Sequence, residues 1–546
     1  MTLSGIGAAS KILFTLRPPL LFCPRLARPW SSFGVLEALS QPEFLDGHAQ
    51  RAQASSSVST SSSLNGVEGL KVSTWKVMSS KALGIKKSMI AKQTRSAINE
   101  LRRRGYDVYL VGGCVRDLIM RRVPKDFDII TTANLLEVER AFSRCAIVGK
   151  RFPICHVYID DYIVEVSSFS TSGSNSSSYV RYISRTPPDC DEIDCIRWRN
   201  CLGRDFTING LMFDPYSQLV YDYLGGMEDI KKAKVRTVIP ARISFQEDCA
   251  RILRAIRIAA RLEFRFTRET AQCIKELATL VVRLDKGRIL MEMNYMLSYG
   301  SAEASLRLLW KFGLLELLLP IQAAYFVSQG FRRRDTGNNM LLDLLSNLDI
   351  LLAPDRPCHN SLWIALLAFH EALVCIPRDP LVVATFGLSV HNGGDMLKAS
   401  NIARRITNPH NQKFSELLEA HVWDEDNGLI NEVVDFASSV ISALRSMTDE
   451  CFVSQAMARY PQAPMSDLVF IPLHLSLRVL RIFDCVNHRD MEKGFVPKQG
   501  SKINYYRLAN GDLAELRHVF ARVVFDTIYP PKIDEQDLNS PRTSGS

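Results

Sequence analysis

The stretch that most constrains the fold runs from Tyr106 to Thr132 and reads YDVYLVGGCVRDLIMRRVPKDFDIITT. Its first apolar run is typical of a buried strand and ends at the glycine pair Gly112 and Gly113. A short helix is predicted from Val115 to Arg122, and DFDIITT predicts a second strand. Two strands joined through a helix predict an α/β domain in which helices cover a sheet.

The rest of the chain divides into the remainder of this domain and a long helical region. The runs FPICHVYI and YIVEVSSF predict two more strands, whereas helical periodicity dominates after Arg242. We therefore predict an α/β domain with a mixed sheet, followed by an all-α region. The predicted boundaries are 76–235 for the α/β domain, with a surface insertion at about 170–200, then 236–320 for a helical neck and 321–546 for a helical body and tail.

The first 75 residues differ in composition from the rest. They contain no acidic residue before Glu37, and ASSSVSTSSSLNG is nearly all serine. Basic, Ser-rich and acid-poor segments are typical of organellar transit peptides. We predict that residues 1–75 are a transit peptide with a disordered Ser-rich segment, which directs the protein to the mitochondrion, the chloroplast or both. A disordered tail with no targeting role is the alternative.

The overall charge is basic. Lys and Arg exceed Asp and Glu by 67 − 58 = 9, which is compatible with a polyanionic partner. No apolar run reaches the length of about 18 residues that a membrane span needs, so no membrane partner is expected. The thirteen cysteines contain no C-x-x-C pair, and we expect free thiols rather than a zinc site.

Asp126 and Asp128 are the first candidate site residues. On a strand they share one face, whereas Phe127 points to the core. Two carboxylates about 5–6 Å apart repel by about 3 kcal/mol at an effective dielectric near 20. A hard divalent cation such as Mg²⁺ offsets this repulsion, and Glu165 on the strand YIVEVSSF is the candidate third carboxylate. The alternative is a pair of exposed aspartates at a strand end.

The glycine pair adds a candidate phosphate site. Gly112 and Gly113 let backbone N–H groups approach a phosphate closely, and Arg116 on the following helix can add guanidinium contacts. A glycine pair alone is an ordinary turn. Followed by the aspartate pair Asp126 and Asp128, it indicates a site for a nucleoside triphosphate.

The segment EDCARILRAIRIAARL predicts an amphipathic helix counted from Asp248. One face is apolar, and the other carries Arg251, Arg254 and Arg257 beside Asp248. These residues either form a solvated, ion-paired face, or they present hydrogen-bonding groups to a base and to phosphates. The residues alone leave both interpretations open.

Taken together, these motifs resemble those of the class II template-independent nucleotidyltransferases, the family of bacterial-type poly(A) polymerases and CCA-adding enzymes. LVGGCVRDLIMRRVPKDFDIITT is similar to the first family motif, GRDFTINGLMFDP to the second, and EDCARILRAIRIAARLEF to the nucleotide-selecting helix. The resemblance spans roughly residues 80–320. It implies a palm domain for residues 76–235 and a nucleotide-selecting, RNA-binding neck for 236–320.

The resemblance implies roles for individual residues. Asp126 and Asp128 would be the catalytic metal ligands for two Mg²⁺ ions, with Mn²⁺ as a possible substitute. The implied nucleotide-binding residues are Gly112, Gly113, Arg116, Arg204, Asp205, Asp248, Arg251, Arg254 and Arg257. The segment IVGKRFPICHV resembles the one that marks bacterial-type poly(A) polymerases, and Lys150 and Arg151 within it are candidate RNA contacts.

The implied activity is the addition of AMP from ATP to RNA 3′-hydroxyls. A CCA-adding tRNA enzyme and an RNA-binding protein without catalysis are the alternatives. A basic segment precedes the predicted sheet and contains Lys86, Lys87, Lys92, Arg95 and Arg102 to Arg104. It either binds the RNA backbone or forms a solvated basic face.

The chain departs from the family pattern at two glycine positions. Arg121 replaces the glycine that often follows the first helix, and Glu263 replaces the glycine before the phenylalanine of LEF. The arginine that the family has after the strand of Glu165 is also absent, and Ser170 stands in its place. The last departure weakens the assignment of Glu165.

Overall fold

A computed structural model gives the structure of the protein. It describes residues 75–149, 153–160, 162–172, 190–353, 356–449, 451, 471–487 and 492–530. The predicted transit peptide, apart from Trp75, and the candidate RNA contacts Lys150 and Arg151 lie outside these residues.

The N-terminal part of the described chain contains a mixed sheet with strand order β1-β8-β7-β2-β3-β6-β5-β4. Its strands are β1 Lys76–Ser79, β2 Val108–Val111, β3 Asp128–Thr131, β4 Cys145–Val148, β5 Ile154–Ile159, β6 Tyr162–Ser168, β7 Leu211–Asp214 and β8 Leu219–Asp222. Strands β3 and β6 pair in parallel, and the other neighbours pair antiparallel. The predicted mixed sheet is confirmed.

Helices cover both faces of this sheet. They are α1 Lys92–Arg103, α2 Gly113–Ile119, α3 Leu135–Ala141, α4 Phe169–Ser172, α5 Glu192–Leu202 and α6 Gly226–Lys231. Helix α1 buries Ala97, Ile98 and Leu101 against the sheet face that carries Val108 and Leu110. Its charged residues lie on the other face, as the periodicity of the segment predicts, while Thr94 is buried with the apolar residues.

Helix α5 lies on the opposite sheet face. The guanidinium carbon of Arg197 is 5.0 Å from the ring centre of Tyr109 and 4.3 Å from that of Tyr221, and Trp198 is fully buried. The segment at 170–200 was predicted to be a surface insertion. Its described C-terminal part is instead a packed helix, because an aromatic and a cationic side chain dock on the sheet. Cys190 just before this helix and Cys195 within it form a disulfide, whereas the other described cysteines are free thiols, as expected.

The remaining described chain is helical, as predicted, apart from a short parallel pair between β9 Lys234–Val235 and β10 Arg265–Phe266. The next helices are α7 Ala241–Glu247, α8 Ala250–Leu262, α9 Arg268–Glu276, α10 Lys286–Leu297, α11 Ala302–Phe312, α12 Leu315–Leu318 and α13 Pro320–Ser328. The last helices are α14 Met340–Leu351, α15 Ser361–Cys375, α16 Pro380–His391, α17 Met396–Ala403, α18 Asp426–Thr448, α19 Leu473–Asn487, α20 Tyr505–Ala509 and α21 Leu513–Ile528.

Two apolar cores hold these elements. One lies beneath α1 and α3 in the sheet domain, and the other runs through the helical region from Phe206 to Tyr529. The second core includes Phe206 and Ile208, so α8, the helix that carries Arg251, Arg254 and Arg257, shares its core with the segment before β7. We call α8 the arginine helix. In the described part of the chain, no helix combines the length and apolarity that crossing a bilayer requires.

Candidate active site

Asp128 lies where β3 pairs with β2 and β6, with Asp126 two residues before it and Glu165 on the neighbouring strand. Asp128 is the first residue of β3 and pairs with Val111 of β2 on one side and Glu165 of β6 on the other. Asp126 is exposed two residues earlier, and Phe127 between them is buried. The alternation of faces expected from the sequence therefore begins just before the strand.

Asp128 is the strained member of this cluster. Burial raises its pKa, and the charges of Asp126 and Glu165 raise it further, to about 6, while Arg204 opposes them. An ionised Asp128 therefore costs free energy in the absence of a cation. Its surroundings favour a positive group beside it.

The side chain of Glu165 does not converge with those of Asp126 and Asp128. Its side chain is 52% exposed, and Oε1 lies 3.6 Å from Nε2 of His156. Within the described residues, no three His, Cys, Asp or Glu side chains converge as metal ligands. Asp126 and Asp128 thus provide a two-carboxylate donor set. Mg²⁺ is commonly bound by one or two carboxylates together with substrate phosphates and water, so the residues fit this ion.

Gly112 forms the wall opposite Asp128. Its φ of +79° is in the left-handed region, and a Cβ there would lie 3.3 Å from Oδ2 of Asp128 and 3.5 Å from Nη1 of Arg204. Only glycine combines this φ with so close an approach. Gly113 begins α2, and a Cβ there would lie 3.4 Å from Nη2 of Arg116.

Arg116 is buried and held by two partners. Its Nε and Nη2 donate to Oδ1 of Asp117 at 2.9 and 2.7 Å, and its Nη1 donates to Oδ1 of Asn209 at 2.6 Å. The guanidinium is therefore fixed beside the glycine turn. The sequence analysis missed Asn209, although it lies within the second motif, GRDFTINGLMFDP.

Asp205 is an internal anchor. Its Oδ1 accepts from the backbone N–H of Phe206 at 2.7 Å and from Nδ2 of Asn209 at 3.0 Å, and its Oδ2 accepts from Nη1 of Arg254 at 3.1 Å. Burial alone raises the pKa of Asp205, but Arg254 and Asn209 outweigh it and the pKa is lowered. Both oxygens are engaged within the protein, so Asp205 holds Asn209 and Arg254 in place.

These contacts form one chain of polar groups across the domain boundary. It runs from Asp117 through Arg116, Asn209 and Asp205 to Arg254 on α8. We call it the Asp205 network. It couples the glycine turn beside Asp128 to the arginine helix, so these two parts of the site are positioned together.

The arginine helix begins later than predicted. It starts at Ala250, and Asp248 precedes it with extended backbone, φ −144° and ψ 95°. Asp248 is the C-cap residue of the preceding helix, and its Oδ1 accepts from the N–H of Ala250 at 3.1 Å. The prediction that placed Asp248 on the helix was therefore wrong.

Arg251 and Arg257 have other partners than the predicted Asp248. Nη1 of Arg251 donates to Oγ of Ser244 at 2.9 Å and lies 3.6 Å from Oε2 of Glu247. Nε of Arg257 donates to the buried Glu292 at 3.0 Å.

Models of two protein families match the chain in this region. The family described as "Poly A polymerase head domain" matches residues 108–236, and "Probable RNA and SrmB- binding site of polymerase A" matches residues 263–326. In these two regions the chain is therefore similar to the head domain and to the RNA-binding region of poly(A) polymerases. The first match covers the carboxylates, the glycine turn and most of the Asp205 network.

The Poly(A) polymerase I of Salmonella typhi is 34% identical over 297 residues, which is 53% of this chain and 62% of that protein. The CCA-adding enzyme of Geobacillus stearothermophilus is 36% identical over 217 residues, 40% of this chain and 52% of that protein. The chain thus spans between half and two thirds of the length of the curated relatives it matches. The crystal structure of the Bacillus stearothermophilus CCA-adding enzyme in complex with CTP aligns with a TM-score of 0.41 and 22% identity, covering 73% of this chain and 92% of that one.

Arg261 is a further cationic residue near the glycine turn, and it was not among the residues predicted from the sequence. Burial lowers its pKa; Asp117 opposes that effect, while Arg116, Arg257 and Arg122 lower the pKa further. Arg261 lies four residues after Arg257 on α8, so the helical spacing that singled out the other arginines extends to it. Together these side chains form a positive cluster beside the glycine turn, which an anion would relieve.

Lys125 was also missed. Its Nζ lies 4.4 Å from the ring centre of Tyr295 and 4.9 Å from that of Tyr299. Lys125, the residue before Asp126, thus contacts two tyrosines at the C-terminal end of α10 in the helical region. No local pattern predicts this contact, because the partners are far apart in sequence.

Proposed function

We propose that this protein adds AMP from ATP to the 3′-hydroxyl of RNA and releases pyrophosphate. The observation that carries the proposal is the placement of Asp126 and Asp128 beside the Gly112 turn, joined by the Asp205 network to the arginine helix. The Poly(A) polymerase I relatives support the choice of ATP.

The cofactor in this proposal is Mg²⁺, two ions with Mn²⁺ as a possible substitute, held by Asp126 and Asp128. When bound there, the ions would lower the pKa of the attacking hydroxyl and neutralise the leaving pyrophosphate. The raised pKa of Asp128 supports the assignment, because a cation removes the repulsion among the three carboxylates.

The chain's own residues bind and orient the nucleotide. Gly112 and Gly113 have no side chains, so the triphosphate can approach the backbone there. Among the described residues, the side chain of Arg204 makes no ion pair or hydrogen bond, so it can bind a phosphate oxygen. The positive cluster around Arg261 holds the remaining negative charge. Arg251 and Asp248 lie at the start of α8, where we place the base of ATP.

The test is release of pyrophosphate from ATP in the presence of a single-stranded RNA primer. We expect release to require the primer and a divalent ion. Asp128→Ala should lose transfer while still binding RNA. Retained transfer in this variant contradicts the metal assignment, and an inactive wild-type protein that still binds RNA supports a non-catalytic RNA-binding role.

CCA addition is the second candidate, and the Geobacillus stearothermophilus relative favours it. The site would be the same, with both CTP and ATP accepted. A tRNA that lacks its CCA end separates the two candidates. CTP incorporation into that tRNA supports CCA addition and contradicts the first proposal.

We also propose that the protein acts in the mitochondrion, the chloroplast or both. Residues 1–36 contain basic but no acidic residues, and a Ser-rich segment follows from Ala54; both features support this proposal. Fusion of residues 1–75 to a fluorescent protein should send it to one of these organelles. A diffuse signal contradicts the proposal.

A further inference from the structure

A basic groove runs along the outer face of α1. It has a volume of about 470 Å³ and lies between this helix and the turn that joins β7 to β8. The lining residues that carry the argument are Lys87, Lys92, Arg95, Arg102 and Tyr216. We call it the α1 groove.

Three of its cations have no counter-charge. Among the described residues, the side chains of Lys87, Lys92 and Arg95 make no ion pair, and Nε of Arg95 is buried without a hydrogen-bond partner. A buried donor without a partner costs free energy, so the groove favours an anionic ligand. A solvated basic face would instead leave the Arg95 nitrogen in contact with water.

An exposed aromatic ring closes one end of the groove. Tyr216 is 77% exposed, and the guanidinium carbon of Arg102 lies 4.8 Å from its ring centre. Arg102 is anchored by Asp107 and Asp214, so the ring has a fixed support. Cations that follow a backbone and an aromatic platform for a base are the two elements of single-stranded RNA binding.

The other end of the groove lies near the carboxylates. Helix α1 packs against β6, the strand that carries Glu165. Burial and then Asp126 raise the pKa of Tyr162 at the start of β6, and Thr94 of α1 lowers it, so these residues are neighbours. The twelve residues of α1 span about 18 Å. That length is enough for several nucleotides.

We propose that the α1 groove holds the single-stranded RNA that lies upstream of the 3′ end being extended. Phosphates lie on Lys87, Lys92 and Arg95, and a base stacks on Tyr216. This inference rests on the proposed function, since it names where the RNA primer of that reaction lies.

The test compares K92A/R95A with K81A/R103A. The control removes the same charge from exposed positions outside the groove: Lys81 precedes α1, and Arg103 on α1 pairs with Glu100. With a primer of about 20 nucleotides, K92A/R95A should raise KM about tenfold, and kcat and the KM for ATP should stay unchanged. The slope of log KM against log salt should fall by about 1.4, because two phosphate contacts are lost. A trinucleotide primer, which does not reach the groove, should show no change.

Tyr216 provides a second readout. Y216A should raise the KM of the long primer, and Y216F, which keeps the ring, should match the wild type. A long-primer KM and salt slope equal to those of the control overturn the proposal. If the wild type transfers no nucleotide, the proposed function fails, and direct binding of the same oligonucleotide tests the groove. K92A/R95A must then bind about tenfold more weakly, and equal binding overturns the inference.

Discussion

Asp205 and Arg254 join the sheet domain to the arginine helix through a hydrogen bond of 3.1 Å between Oδ2 and Nη1. Asp205→Asn removes the charge and leaves Arg254 without its counter-ion. Loss of one partner of a buried pair costs about 3 kcal/mol or more in the free energy of unfolding. We expect that loss in urea denaturation, together with reduced discrimination between ATP and CTP in kcat/KM.

Asp229→Asn is the matched control for this change. Asp229 is also a buried aspartate paired with an arginine, Arg236 at 2.8 Å, and its other side-chain hydrogen bond comes from Thr207. The control should lose stability and keep the nucleotide preference of the wild type. Equal loss of preference in both variants would show that the Asp205 network has no positioning role.

The raised pKa of Asp128 predicts an unusual pH dependence. The pKa of Asp128 is about 6 in the folded protein and 3.8 for an ordinary aspartate, so folding favours the protonated side chain. Protonated Asp128 therefore adds to the free energy of unfolding below about pH 4, and this contribution is lost as the pH rises through 6. Without divalent ions at pH 7.5, Asp128→Asn should be more stable than the wild type by up to about 3 kcal/mol. Denaturation in EDTA at pH 4.5 and 7.5 measures this difference.

Magnesium should make the wild type more stable than Asp128→Asn. Added Mg²⁺ raises the melting temperature of the wild type because it binds the folded state, and Asp128→Asn should gain little. The same variant should be inactive in transfer. A variant that is less stable than the wild type in EDTA at pH 7.5 would refute the strain assigned to Asp128.

Gly112→Ala should abolish transfer. A Cβ at this φ of +79° costs about 1–2 kcal/mol in backbone strain and presses on Asp128 and Arg204. Gly105 provides the control, since its φ is +89° and a Cβ there meets nothing within 4 Å. Gly105→Ala should lose similar stability in thermal denaturation and keep its activity. Equal losses of activity in Gly112→Ala and Gly105→Ala would show that Gly112 has no specific role in the site.

The two positions that depart from the family pattern carry measurable strain. Arg121 and Glu263 have φ values of 56° and 59°, in the left-handed region that favours glycine. Glu263→Gly should raise the free energy of unfolding by about 0.5–1 kcal/mol, since relief of strain exceeds the entropy cost of glycine. Glu263→Ala keeps the Cβ and should gain nothing.

Arg121→Gly should gain less than Glu263→Gly, because the Arg121 guanidinium packs over Gly84, where a Cβ would lie 3.4 Å from Nη2, and that packing is lost. Chemical denaturation of the three variants gives the comparison. A destabilising Glu263→Gly would contradict the assignment of strain.

The sequence predicted those parts of the fold that depend on local patterns. The strands of Val111, Asp128 and Glu165 have dense or alternating apolar residues, and α1 has a clear periodicity. The hairpin of LMFD and LVYD was missed, although the turn residues PYSQ between two short apolar runs are the signal for it.

The hydrogen-bond partners within the site could not be predicted from sequence patterns. Arg116 and Asn209 are 93 residues apart, and Arg257 and Glu292 are 35 apart. Their hydrogen bonds exist because the sheet and the helices pack against each other. The start of α8 was missed for a local reason, since Asp248 fits a helical periodicity but its carboxylate caps the N–H of Ala250 instead.

The central claim is that the carboxylates, the glycine turn and the arginine helix form a site that adds AMP to RNA. The most direct measurement is the wild-type protein with Mg²⁺, a generic RNA primer and a tRNA that lacks its CCA end, supplied separately with ATP and with CTP. We expect repeated addition of AMP to the primer, with kcat/KM for CTP lower by roughly a hundredfold or more. Robust incorporation of CTP into the tRNA, or no addition from either nucleotide, would contradict this account.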